Sequence, residues 1–128
     1  MQSYSKTIVV EEPHLDDLNH VNNVVYLQWV QDIAKEHWFS KTTSNINTNY
    51  FWVVVKHELE YKKPAFLDDE LTITTYVEDF KGALSVRCVD FKKGEDLIVT
   101  ARSKWCLIGA NDHKPKRVPK EFFELFKT

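Results

Sequence analysis

The chain has 128 residues, of which 43% are hydrophobic, and a formal net charge of −2. That length suits one compact domain with a buried core, and so balanced a charge lacks the strongly basic face that duplex nucleic acid requires. Four Trp, five Tyr and eight Phe supply the residue types that line apolar pockets and subunit interfaces.

The N-terminal stretch Met1 to Lys6 is polar and does not read as a signal peptide. No window reaches the length of a membrane span, so the expected location is cytoplasmic. Thr7 to Val10 is a β-branched run and the first expected strand, ended by Pro13. A polar stretch from His14 to Asn23 follows.

The period then changes. Tyr26, Leu27, Val30, Ile33, Ala34, His37 and Trp38 recur at helical spacing, with Gln28, Gln31, Asp32, Lys35 and Glu36 on the other side. Val24, Val25 and Trp29 widen the apolar face, which predicts a deeply covered helix. Asn22 or Asn23 is its natural N-cap. Ser40 to Asn49 is rich in Ser, Thr and Asn and reads as a loop.

Four strands are expected after it. Val53, Val55, His57, Leu59 and Tyr61 alternate with Val54, Lys56, Glu58 and Glu60 at a period of two. Leu71, Ile73, Thr75 and Val77 mark the third strand, Leu84 to Phe91 the fourth and Leu97 to Ile108 the fifth. Phe80-Lys81-Gly82 and Lys92-Lys93-Gly94-Glu95 read as hairpin turns. Pro119 opens a short final helix carrying Phe122, Phe123, Leu125 and Phe126. Short links between strands argue antiparallel pairing. A single α+β domain over residues 1–128 is expected, with five antiparallel strands curled around the long helix. Cys88 and Cys106 lack CxxC spacing and read as free thiols, a disulfide between them being the less favoured alternative. The basic run Lys114, Lys116 and Arg117 reads as a solvated surface.

The stretch that carries chemistry runs from His14 to Tyr26, a polar loop leading into the N-terminus of the buried helix. Free N–H groups and a partial positive charge at a helix N-terminus can hold an oxyanion. A carboxylate beside them can act as nucleophile or general base, and acyl transfer needs both parts. Asp and Asn in such a place also serve as ordinary caps, and the residues alone leave both readings open.

The string Asp16-Asp17-Leu18-Asn19-His20-Val21-Asn22-Asn23, with Tyr26 three residues on, resembles the signature of the 4-hydroxybenzoyl-CoA thioesterase family of hotdog-fold proteins. Tyr61-Lys62-Lys63-Pro64-Ala65 and Asp68-Asp69-Glu70-Leu71 resemble that family's second strand, turn and third strand, and Trp105 and Val118-Pro119 also have counterparts. The resemblance implies a hotdog fold and an acyl-CoA thioesterase. It implies Asp16 as the catalytic carboxylate, and the backbone N–H of Asn23 as the group that polarises the thioester carbonyl. His20 and Asn19 would shape the loop, His20 standing with the catalytic group, and Asn19, Asn22 and Tyr26 would contact the substrate. The site would be built across a homodimer, within a dimer or tetramer. One subgroup carries an aromatic in its first strand and a His at the Asn23 position; Glu12 and Asn23 stand there in this chain. A second subgroup places its catalytic Glu within the helix, which Glu36, near the helix end and on the polar side, does not match.

His57, on the apolar face of the second strand, reads either as a satisfied core residue or as a substrate contact, and His37 reads in the same way. The five His are scattered without ligand spacing, so no metal and no cofactor is expected. Lys62, Lys63, Arg87, Arg102 and Lys104 are candidates for the coenzyme A phosphates. The expected reaction is hydrolysis of an acyl-CoA thioester. Two alternatives stand beside it: a hydratase or dehydratase using His20 with Asp16, and a non-catalytic acyl-CoA or acyl-carrier binding protein.

Overall fold

Residues 2–127 are described in the computed structural model. Strand β1 spans Ser3–Val9, a 3-10 turn Glu12–His14, and the long helix α1 Asn23–Lys41. A short helix α2 (Ser44–Asn49) leads into β2 (Tyr50–Tyr61), β3 (Glu70–Lys81), β4 (Leu84–Lys93) and β5 (Asp96–Gly109), and α3 (Lys120–Phe126) ends the chain. The strands form one antiparallel sheet in the order β1-β3-β4-β5-β2.

Helix α1 buries Tyr26, Trp29, Val30, Ile33, Ala34, His37 and Trp38. Its first half meets Leu71, Ile73, Val89, Phe91 and Val99 of the sheet in one apolar cluster. Trp38, at its other end, joins Val77, Phe80 and Leu107 in a second cluster, sealed by Phe122 and Phe126 of α3. The Trp38 and Phe126 rings are stacked at 5.3 Å. Val24, expected on the apolar side, is exposed, because it lies in the first turn beyond the sheet's cover.

Four expectations need correction. The first strand begins at Ser3, not Thr7, since pairing with β3 from Ser3↔Tyr76 onward satisfies a segment that is not β-branched. The stretch from Ser40 to Asn49 is not a loop: α1 runs to Lys41 and α2 occupies Ser44–Asn49. Local side-chain bonds hold α2, with Thr43 Oγ1 accepting from Ile46 N at 3.3 Å and Trp38 Nε1 donating to Asn47 Oδ1 at 2.8 Å. In β2 the register against β5 shifts between Val54 and Lys56, leaving Val55 unpaired. That bulge changes the facing of the strand. Tyr50 and Trp52 turn inward before it and His57 and Leu59 after it, while Val53 and Val55 lie exposed. The fourth and fifth strands fall where expected, but the hairpin turns are tighter than expected: Phe80 and Lys81 still pair within β3 and Lys92 and Lys93 within β4, so each turn opens at its glycine, Gly82 and Gly94 having φ of +61° and +60°. Cys88 and Cys106 are both free thiols.

His37 is fully buried among Tyr4, Phe126 and Arg87. Burial first, then the Arg87 guanidinium and Lys41, push its pKa from 6.5 down to about 4. The folded protein therefore holds this imidazole neutral where the unfolded chain protonates it. Stability should be complete above about pH 6.5 and fall as the pH drops toward 4, by up to about 3 kcal/mol. Melting temperatures between pH 7 and pH 4 check this, and in His37→Gln the part of the slope due to this group should vanish.

Candidate active site

The loop between the 3-10 turn and α1 is pinned at its ends by the backbone. Asn22 N donates to His14 O at 2.9 Å, Leu15 and Val21 form an antiparallel bridge, and Val21 N donates to Ala65 O at 3.0 Å. Between those anchors Asp16 shapes the turn. Its Oδ1 accepts from Leu18 N at 2.9 Å and from His20 N at 3.2 Å, and Asp16 N donates to His20 O at 2.8 Å. Asn19 takes the left-handed conformation, φ 62°, that this tight return demands. The Asp16 Oδ2 atom takes no hydrogen bond among the described residues.

Asn22 caps α1, its Oδ1 accepting from Val24 N at 2.9 Å. The first backbone amides of a helix have no partner within it. Val24 is served by the cap, whereas the Asn23 N–H bonds to no described residue. Asp16 and Asn23 line one cleft of about 270 Å³ together with His20, Tyr26, Lys62 and Lys63. A carboxylate with a free oxygen thus sits in the same cleft as a free amide at the positive end of a 19-residue helix.

Tyr26 is buried, and its hydroxyl has no partner among the described residues. Burial first, and then the neighbouring Tyr61 and Asp69, raise its pKa to about 12, so the hydroxyl remains a proton donor at neutral pH. Lys62 and Lys63 make exposed ion pairs, with Glu60 at 3.2 Å and Asp96 at 3.4 Å. Such pairs contribute about 0–1 kcal/mol, which leaves both ammonium groups available to an anionic ligand.

The remaining candidates lie elsewhere. Asp17 is exposed and does not line the cleft. Asn19 and Asn22 serve the loop and the helix cap respectively. His20 reaches Asp16 through its backbone N–H, while its ring stands edge-on to Phe66 at 5.1 Å. His57 is outside this cleft; its Nδ1 meets Ser103 Oγ at 2.6 Å and its Nε2 lies 3.4 Å from Gln31 Nε2. Burial lowers the pKa of His57. Arg87 is not a rim cation: it is buried at an inward position of β4 and bonds His37 and Thr75. Arg102 is gripped by Glu78. Tyr61 and Pro64 line the cleft without having been singled out from the sequence as site residues; the approach of Val21 to Ala65 brings the β2 end against the loop, a tertiary contact with no local signature. Among the described residues no group of three or more His, Cys, Asp or Glu is gathered as a metal site, and no helix is long and apolar enough to cross a membrane.

A five-stranded antiparallel sheet packed on a long helix, closed by a short C-terminal helix, is the arrangement of the hotdog thioesterases. The chain belongs to the thioesterase-like superfamily, whose family model matches residues 12–126. It is 34% identical over 80 residues to the long-chain acyl-CoA thioesterase FadM of Escherichia coli K12, a match spanning 59% of this chain and 58% of that protein's length. Its fold is shared with the crystal structure of YbaW, a probable thioesterase from Escherichia coli, at a TM-score of 0.86, 24% identity and 94% coverage of each chain. It is shared equally with a 4-hydroxybenzoyl-CoA thioesterase mutant in complex with 4-hydroxybenzoyl-CoA, at a TM-score of 0.87, 16% identity and coverage of 99% of this chain and 100% of that one.

The cap is separable from the carboxylate. Asn22→Ala removes the acceptor for Val24 N and should cost about 1 kcal/mol, read as a lower midpoint in urea. Asp16→Asn keeps a carbonyl oxygen for Leu18 N and His20 N, and its midpoint should stay within about 0.5 kcal/mol of the parent.

Proposed function

We propose that the chain hydrolyses acyl-CoA thioesters to a carboxylic acid and free coenzyme A, with Asp16 as the catalytic carboxylate. One observation carries this reading: the Asp16 carboxylate, with one oxygen uncommitted, shares a cleft with the free Asn23 amide at the head of α1. The thioester carbonyl would accept from Asn23 N–H, where the helix dipole favours the negative charge that develops on oxygen. Asp16 then either attacks the carbonyl carbon, giving a mixed anhydride that water hydrolyses, or takes a proton from the attacking water. In both routes the sulfur leaves as thiolate. The loop amides on Oδ1 hold the carboxylate in place, and Lys62 and Lys63 supply cations to the coenzyme A phosphates. Tyr26, with its unmet hydroxyl, offers a hydrogen bond to the bound acyl thioester.

The hydratase alternative needs an imidazole paired with an acid. His20 contacts Asp16 only through the main chain, which favours hydrolysis. The binding-protein alternative leaves the free carboxylate oxygen without a use.

Thiol release from a panel of acyl-CoAs, including an enoyl-CoA, tests the activity. Asp16→Asn should lower turnover by roughly a hundredfold or more, and Asp17→Asn by tenfold or less. An Asp16→Asn protein that keeps most of its turnover would sink this reading.

The assembly proposed is a homodimer or a larger even oligomer. β2 is an edge strand that exposes Phe51, Val53, Val54 and Val55 in succession. An unpaired apolar edge invites a second strand, and a second copy across a two-fold axis fits it. Light scattering at micromolar concentration should give a dimer or larger species, and Val55→Lys should shift it toward the monomer.

A further inference from the structure

A second cavity, of about 260 Å³, lies at the other end of α1 and shares no lining residue with the Asp16 cleft. Tyr26 beside the first and Trp38 beside the second are separated by about 18 Å of helix, at roughly 1.5 Å per residue. The walls of this cavity are aromatic. Trp38 stands edge-on to Trp52 at 5.5 Å, Trp52 stacks on Phe80 at 6.3 Å, and Trp105 closes another side.

Set into this wall is Arg87, only 5% exposed. Its Nη1 donates to His37 Nδ1 at 2.9 Å and to Thr75 Oγ1 at 3.2 Å. Neither acceptor carries a negative charge: Thr75 is a hydroxyl, and His37 is neutral. Arg87 enters no ion pair among the described residues, and no Asp or Glu lines the cavity. Burial lowers its pKa to about 10, so it remains a cation at neutral pH. A buried charge without a counter-charge is costly. The guanidinium has five N–H donors, and those on Nε and Nη2 make no hydrogen bond to a described residue. That edge is the one by which Arg102 grips Glu78 on the protein surface. The buried Ser85 and the exposed Lys35 line the same space.

We propose that this cavity binds a carboxylate with an apolar, ring-bearing body. The Nε–Nη2 edge of Arg87 takes the carboxylate as a two-point pair, and the tryptophans and Phe80 take the body. Lys35 at the mouth adds a second positive charge. Arg87 also ties β3, β4 and α1 together through Thr75 and His37, and its Cζ lies 6.0 Å from the Phe126 ring centroid, but none of these partners carries a negative charge. The inference goes beyond the hydrolysis assigned to Asp16 and concerns a different cavity.

Three tryptophans in the wall make binding visible by intrinsic fluorescence. The intact protein is titrated at pH 7 with 4-phenylbutyrate and, separately, with 4-phenylbutan-1-ol, which keeps the body and drops the charge. The carboxylate should bind at least tenfold more tightly than the alcohol. In Arg87→Gln that preference should disappear while the alcohol still binds. Lys35→Glu, a change at an exposed position, should reduce the preference several-fold and covers the case in which Arg87→Gln does not fold by circular dichroism. No saturable carboxylate binding, equal binding of the two ligands, or a preference unchanged in the variants would overturn the proposal. The measurement reads binding and not turnover, so it fails separately from the role given to Asp16.

Discussion

The burial of one side of α1 against the sheet sets the position of nearly everything else. Val30 and Ile33 have no exposure at all, and burying such a side chain is worth about 1.5–3 kcal/mol. Because these residues sit mid-helix, the two ends of α1 are carried to fixed places. At the N-terminal end the free Asn23 amide arrives in the cleft of Asp16. At the other end Trp38 meets Trp52 and Phe126. A rigid rod held at its middle thus positions both cavities without either having to supply its own stability.

The two cavities solve different electrostatic problems. At the Asp16 cleft the charge is partly solvated and hydrogen-bonded by two loop amides, so it is held in place at little desolvation cost. At the aromatic cavity the Arg87 charge is almost wholly withdrawn from water and is met by neutral acceptors and the Phe126 ring, without a counter-charge among the described residues. A withdrawn charge is far more sensitive to what occupies the neighbouring space, because the low dielectric strengthens every interaction with it. The first arrangement suits chemistry on an exposed thioester; the second suits discrimination between charged and uncharged ligands.

Much of this was legible in the sequence, and the failures have specific causes. The alternation of Leu71, Ile73, Thr75 and Val77 survives intact in β3 because its own register shift comes only after Val77. The same rule applied to Val53 and Val55 fails, since the bulge at Val55 leaves no mark in composition. α2 was missed because its residues are poor helix formers whose support comes from caps and from the Trp38 indole. The loop from Asp16 to Asn23 was legible as a motif, and the choice of Asp16 over Asp17 comes from its resemblance to the family signature. Arg87 was taken for a rim residue because Arg is so often exposed. Its parity with Ser85, Val89 and Phe91, all buried in β4, carried the signal of an inward side chain, but only for a reader willing to place a charge there.

The bulge in β2 also makes the length of that strand as constrained as its content. Side chains alternate faces with a period of two, so the unpaired Val55 acts as a phase inverter between two half-strands. The half before it contributes Tyr50 and Trp52 to the aromatic end of the molecule, and the half after it contributes Leu59 to the other cluster. Deleting Val55 would leave an uninterrupted ladder with Trp52 and Leu59 both still inward, whereas inserting one more residue there would demand a wider bulge or turn one half over, carrying either Trp52 or Leu59 out to solvent. Loops usually absorb insertions with little consequence; at this point a single inserted residue would cost far more than a change of identity.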